Sequence, residues 1–173
     1  RPADYRMGTF AEYISIHESD LALKPKTLSM EEAASIPLVG LTAWQALVEI
    51  ANLKKGQKVF IQAGSGGVGT FAIQLAKHLG AFVATTTSAA NIDLVKSLGA
   101  DLVVDYKTED FAAKLKDYDL VLHSNRDSKI LEKSLRRLKP GGKLISLVGP
   151  PTPEFARELG LPWYLKFVMK MLS

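Results

Sequence analysis

The sequence predicts a doubly wound α/β fold, a parallel sheet with helices on both faces, on three observations. Short apolar runs alternate with segments of helical apolar spacing from Lys58 to Val148. A glycine-rich turn, Gly64-Ser-Gly-Gly-Val-Gly69, stands between the first such run and the first helical segment. Single glycines, Gly80 and Gly99, then stop the first two helical segments where the next strand must begin. Parallel strands need long crossovers, and each helical segment supplies one.

Taken in order, Thr9 to Ile16 is β-prone and reads as a strand detached from the rest of the chain. Ser29-Met-Glu-Glu32 has the form of a capping box and opens a short helix that Pro37 is expected to end. A second helix begins near Val39, with Leu41, Trp44, Leu47, Val48 and Ala51 at helical spacing, and closes at Asn52 and Lys54-Lys-Gly56. Val59 to Gln62 is a buried-type strand. Val68, Phe71, Ala72, Leu75, Ala76 and Leu79 come after it as a helical stripe. Ala81 to Thr86 is the second strand, and Ile92, Val95 and Leu98 mark its helix. Leu102 to Asp105 and Leu120 to His123 are the third and fourth strands, trailed by helices around Phe111 to Leu115 and through Ile130, Leu131, Leu135 and Leu138. After a turn at Pro140-Gly-Gly142, Lys143 to Val148 is the fifth strand.

The glycine-rich turn has the spacing GxGxxG, and its place between strand and helix is the one a Rossmann-type dinucleotide fingerprint requires. Gly64 permits the tight turn, Gly66 lets the backbone approach a pyrophosphate, and Gly69 lets helix and strand lie close. The helix N-terminus adds unpaired amides and partial positive charge. The end of the second strand reads Ala84-Thr-Thr-Thr-Ser88, without the carboxylate that usually holds the ribose 2′-hydroxyl of NAD; the next acidic residue is Asp93. A ribose 2′-phosphate meets no repulsion there and finds donors in Thr87, Ser88, Tyr106 or Lys107, so NADP(H) is favoured over NAD(H). Ser88 serves equally as a helix cap.

Composition narrows the classes. The 173 residues are 47% hydrophobic, enough for one ordinary core, and include no cysteine. Disulfides, thiolate nucleophiles and cysteine-based zinc sites are therefore excluded from this chain, and a reducing, cytoplasmic setting fits. No apolar run approaches the roughly 20 residues of a membrane-spanning helix. The chain starts at Arg1 without a signal-like apolar core, so an upstream segment is expected to have been removed. The net charge of +4 suits anionic ligands, but no nucleic-acid motif accompanies it, and neither nucleic acid nor membrane is an expected partner.

The chain also resembles a known family. Gly8-Thr-Phe-Ala-Glu-Tyr13, Ala22-Leu-Lys-Pro25, Glu31-Glu-Ala-Ala34, Pro37-Leu-Val-Gly-Leu-Thr-Ala-Trp44, Ala63 to Gly69, Ile73-Gln-Leu-Ala-Lys77, Leu98-Gly-Ala-Asp101, Asp105-Tyr106 and Leu138-Lys-Pro-Gly-Gly142 stand in the order found in medium-chain dehydrogenases and reductases, specifically their zinc-independent quinone oxidoreductase-like group. The resemblance implies that Thr42 lies near the nicotinamide and Val68 packs against it. It places Ser65, Gly66 and Gly67 along the pyrophosphate, and Ser88 and Tyr106 at the adenosine 2′-phosphate. Residues 1–35 would be the last segment of a GroES-like β catalytic domain, 36–150 the NADP-binding domain and 151–173 a helical extension, with the chain incomplete at both ends.

By the same resemblance the whole protein would reduce a quinone or an α,β-unsaturated carbonyl with NADPH and without zinc. Its partner would be that small molecule, and a homodimer of the intact protein is allowed. No catalytic residue and no metal ligand is identified in this chain. One departure stands out: after the fourth strand the family commonly has Asp and a glycine-containing turn, whereas this chain reads Leu122-His-Ser-Asn-Arg-Asp127. His123, Ser124 and Asn125 should border the cofactor cleft, with His123 a neutral side chain in a local hydrogen bond. Two other readings remain, a catalytically silent dinucleotide-binding module and a zinc-dependent alcohol dehydrogenase. Leu161 to Leu172, with aromatics and methionines between lysines, is expected to pack as a helix near the substrate mouth or a partner subunit.

Overall fold

In the computed structural model, residues 11–148 are described. They fall into two compact units, residues 31–148 and a second to which residues 11–30 belong. In the latter, the one regular element among the described residues is a 3-10 turn at Glu18–Asp20, opened by the Ser19 amide donating to the His17 ring. Residues 11–16 form no strand, contrary to the sequence expectation. A β-prone run becomes a strand only with a hydrogen-bonded neighbour, and every paired strand described lies between Lys58 and Ser146. The segment Leu161 to Leu172 lies outside the described residues.

The larger unit begins one residue into helix α1 (Met30–Ala34) and continues through α2 (Ile36–Trp44). Pro37 does not end α1 as the sequence suggested; it sits in the first turn of α2, where a missing amide costs nothing and its fixed φ suits the helix. From Gln45 to Ile50 the helix widens into π geometry, with the Ala51 amide reaching back to Ala46. Ala43, Ala46 and Leu47 are buried, whereas Leu41 and Trp44, expected in the apolar stripe, are 61% and 48% exposed. Asn52, with φ of 54°, closes the segment in the left-handed region.

Five strands make the sheet: β1 (Lys58–Ile61), β2 (Phe82–Thr87), β3 (Leu102–Asp105), β4 (Tyr118–His123) and β5 (Leu138–Ser146). Between them run α3 (Gly67–His78), α4 (Ile92–Ser97), α5 (Phe111–Lys114) and α6 (Ser128–Leu135). All neighbouring strands pair in parallel, in the order β3-β2-β1-β4-β5. This is the doubly wound order, whose direction reverses between β1 and β4. α2 with the π turn after it, α3 and α4 cover one face, packing Leu47, Ile73, Ala76 and Val95 against Val59, Ile61 and Val83. α5 covers the other, where Phe60, Phe111 and Tyr118 meet. Because both faces are covered, the central strands are continuously apolar rather than alternating.

β5 begins at Leu138, earlier than expected. The Pro140-Gly-Gly142 turn is an irregularity inside the edge strand: Tyr118 pairs with Leu138 but Leu120 pairs with Lys143. Pro140 withholds no bond the sheet needs, because an edge strand has one unpaired side.

At the opposite end of the sheet from the strand carboxyl ends, Asp119 ties three segments together. It accepts from the Lys58 amide at 2.8 Å and the Gln57 side chain at 3.3 Å, and it pairs with Lys139. Burial pushes its carboxyl up, but Lys139, the Lys58 amide and Gln57 outweigh it, and its pKa is lowered below the ordinary 3.8. A depressed carboxylate contributes stability that is present above its unfolded value and lost as pH falls through its folded value. Asp119→Ala is therefore expected to cost about 2 kcal/mol at neutral pH, in urea unfolding, and to flatten the loss of stability that the parent shows below pH 4.

Candidate cofactor site

The site is built where β1 hands over to α3. Ala63 takes φ of 53°, turning the chain, and the Gly64 amide donates to the Thr86 carbonyl at 2.9 Å. Two of the glycines are there for close approach. A Cβ on Gly64 would lie 2.1 Å from Thr85 Oγ1, whose hydroxyl is itself bonded to the Ile61 carbonyl at 2.7 Å. One on Gly69 would lie 2.3 Å from the Ala63 carbonyl oxygen and 2.7 Å from the Gly64 Cα. Gly66 and Gly67 are instead exposed, so the backbone itself is the surface offered to a ligand.

Gly66 caps α3 without any side-chain hydrogen bond, and the first helical bond described runs from the Thr70 amide to the Gly66 carbonyl. The amides of Gly67, Val68 and Gly69 consequently have no partner within the helix, and the positive end of a twelve-residue helix lies behind them. Bare donors, a backbone with no Cβ in front and a helix dipole together fit a pyrophosphate.

At the end of β2 stands a cluster of uncharged polar side chains. Thr87 Oγ1 donates to Ser65 Oγ at 2.9 Å, and the Asn91 amide lies 3.4 Å from both Ser65 Oγ and Ser88 Oγ. The Tyr106 amide donates to the Thr87 carbonyl at 3.2 Å, which brings this exposed residue to the same corner. A carboxylate does come close in the sheet: Asp105, buried on β3, is in register with Thr87. It accepts from the Lys107 amide at 3.0 Å and so stabilises its own turn.

A cleft of about 850 Å³ opens at the strand ends, lined in part by Gln62, Thr86, Tyr106, Ser124 and Asn125 together with Phe111 of α5 and Ile130 of α6. Gln62 holds its rim. Its amide donates to Ser134 Oγ at 2.8 Å, and its carbonyl oxygen accepts the Ser124 amide at 3.1 Å, tying β1 to α6 and to the loop after β4. Gln62 is 6% exposed, so a replacement leaves partners with no water in reach. Gln62→Leu is expected to cost about 2 kcal/mol in thermal unfolding and to weaken nucleotide binding severalfold by freeing the β4–α6 loop.

His123 is buried at 2% exposure, and its Nδ1 lacks a hydrogen-bond partner. Burial lowers its pKa below 6.5, against a backbone hydrogen bond at Asn125, so the ring is neutral at physiological pH. Among the described residues, no three His, Asp or Glu side chains are grouped to hold a metal ion. Among them too, no helix is long and apolar enough to cross a membrane.

The structure thus joins Ser65 to Ser88 through Asn91. It sets Gly67 against α2, where an added Cβ would lie 3.0 Å from Val39 Cγ1, and it packs Val68 on the core. Thr42 lies one turn further along α2, its hydroxyl returned to the Leu38 carbonyl at 2.7 Å. The sequence marks Gln62 only as the end of a strand and does not single out Asn91. Neither carries a periodic signal, and each ties its own strand end to a residue far away in the chain, Gln62 to Ser134 and Asn91 to Ser65.

The family model described as zinc-binding dehydrogenase matches residues 67–166. The 2-methylene-furan-3-one reductase of Solanum lycopersicum is 41% identical over 150 residues, covering 86% of this chain and 38% of that protein. The chloroplastic NADPH-dependent alkenal/one oxidoreductase of Arabidopsis thaliana is 39% identical, with the same coverage of 86% and 38%. The solved structure of the quinone oxidoreductase from Coxiella burnetii superposes with a TM-score of 0.70 at 36% identity, over 80% of this chain and 44% of that one. The chain spans about two fifths of the length of these curated relatives.

Proposed function

Because the chain belongs to the zinc-binding dehydrogenase family, within the medium-chain dehydrogenases and reductases, we propose that it is the NADP(H)-binding part of an oxidoreductase that delivers hydride to a quinone or an α,β-unsaturated carbonyl. The observation that carries the reading is the Gly64–Gly69 loop: it ends in uncapped α3 amides beside the β1/β4 reversal, and the chain leaving β2 carries no carboxylate before Asp93, while Asp105 across the sheet is turned to its own Lys107 amide. The relatives named for alkenal/one and furanone reduction support the acceptor class.

Nicotinamide supplies the hydride when bound, and the residues of this chain bind and orient. Gly66 and Gly67 offer backbone to the pyrophosphate, with the Val68 and Gly69 amides behind. Ser65, Ser88 and Tyr106 receive the adenosine ribose end. Val68 and Thr42 border the nicotinamide, Val68 as an apolar wall and Thr42 as a hydroxyl beyond it. Holding the two reactants in place against an electron-poor carbon and excluding water is the protein's share of the rate enhancement.

Residues 1–35 belong in this reading to the end of a GroES-like catalytic domain and 36–150 to the cofactor domain. The full-length protein acts without zinc, in a cytoplasmic setting. Titration with NADPH and NADH, followed by nicotinamide fluorescence, tests the binding step, and saturable binding that favours NADPH is expected. Turnover of the full-length protein on enones and quinones tests the chemistry: NADPH binding with no oxidation across the panel would make the chain a silent module, and stoichiometric zinc would remove the zinc-free assignment.

A further inference from the structure

We propose that Thr86 is a positioning residue of the dinucleotide site: its hydroxyl holds Ala63 in the left-handed conformation from which the glycine loop starts. The inference rests on the dinucleotide reading above and deepens it with a residue that acts through the loop. Ala63 has φ of 53°, where an L residue's Cβ crowds the backbone. Among the described residues, the other non-glycine positions at positive φ are Asn52 and Asp117, types whose short polar side chains can bond locally in that region. Ala63 has no such side chain. A strained residue persists only where its surroundings over-determine it, and here Thr86 does so. Its Oγ1 accepts the Ala63 amide at 3.2 Å and its carbonyl accepts the Gly64 amide at 2.9 Å, so one buried residue of β2 grips two consecutive amides where β1 ends.

The conformation of Ala63 sets the direction of the loop. Its carbonyl accepts the Gly66 amide at 2.9 Å and closes the turn. The same oxygen is the atom on which α3 is seated, 2.3 Å from where a Cβ on Gly69 would stand. Relaxing Ala63 to an ordinary negative φ swings this carbonyl away from both, and the Gly67 and Val68 amides lose the support that aims them at the strand ends. Gly64, which follows, carries no Cβ to resist that movement. The hold therefore has to come from across the sheet. The Thr86 carbonyl is supplied by any residue at that position, whereas the bond to the Ala63 amide needs the hydroxyl.

The test is titration of the full-length protein with NADPH, followed by nicotinamide fluorescence, in a double-mutant cycle. Thr86→Val, nearly the same shape without the acceptor, is expected to weaken NADPH about fivefold, the scale of one neutral hydrogen bond. Thr86→Ser, which keeps the hydroxyl, is expected to stay within about twofold of the parent. Ala63→Gly removes the steric cost of the left-handed backbone, so it is expected to change little alone and to bring Thr86→Val back to within about twofold of the parent. A hydroxyl acting directly on the nucleotide, or a packing role in β2, would give no such rescue. Thr86→Ala replaces Thr86→Val, with the same expectations, if the latter does not fold. If the parent binds NADPH and Thr86→Val binds it as tightly, if Thr86→Ser loses as much as Thr86→Val, or if Ala63→Gly leaves the loss in place, the role of Thr86 is overturned and the dinucleotide reading stands. If the parent binds no NADPH, the dinucleotide reading falls and this proposal with it.

Discussion

Gly69→Ala is expected to abolish nucleotide binding and to destabilise the fold by roughly 3 kcal/mol or more. The added Cβ would stand 2.3 Å from the Ala63 carbonyl oxygen and within 2.8 Å of the Gly64 Cα and carbonyl carbon. These are backbone atoms, with no rotamer through which to retreat, so α3 must lift off β1 or the turn at Ala63 must open. Either movement carries the Gly67 and Val68 amides away from the strand ends. Gly56→Ala is a useful contrast in the same measurement: nothing lies within 4 Å of its Cβ, and its cost comes only from a φ of 83°. Urea unfolding and NADPH titration of both variants check the prediction. A Gly69→Ala protein that binds NADPH like the parent would show that the loop is not the cofactor cradle.

Ser88→Asp is expected to reverse the cofactor preference. It removes a hydroxyl at the end of β2 and puts a carboxylate where the NAD-selecting group ordinarily stands. Losing one hydrogen bond to a charged phosphate is worth about 1.5 to 3 kcal/mol, and like-charge repulsion adds to it, so NADPH should weaken by about 100-fold. NADH, whose ribose hydroxyls can donate to the new carboxylate, should bind as well as before or better. Fluorescence titration with both nucleotides reads the result, and equal weakening of the two would place Ser88 at a packing position instead of the 2′ corner.

Much of the fold is legible in the chain. The sequence places β3 at Leu102 to Asp105 as observed, and β1, β2 and β4 within a residue or two, because buried parallel strands are short unbroken apolar runs bounded by glycine stops. The differences cluster where a local pattern has two outcomes. Pro37 is compatible with ending one helix or beginning the next, and the packing of α2 on α3 at Gly40 and Gly67 favours the second. Leu41 and Trp44 fit an α-helical stripe, but the face that is buried runs through Ala43, Ala46 and Leu47. Residues 11–16 have strand propensity but no paired neighbour among the described residues.

What the sequence by itself determined is the alternation of strands and helices, the Gly64–Gly69 turn and the uncharged end of β2. All of these are local properties, written in consecutive residues by sterics and by the period of the apolar positions. What only the tertiary structure decided is which side chains meet. Gln62 reaches Ser134 across 72 positions, Ser65 meets Thr87 across 22 and Asn91 across 26, and Asp105 comes beside Thr87 only through the pairing of β2 with β3. Those contacts arise because a parallel sheet brings the carboxyl ends of distant strands to one edge, and no periodicity along the chain records which residues will face one another there.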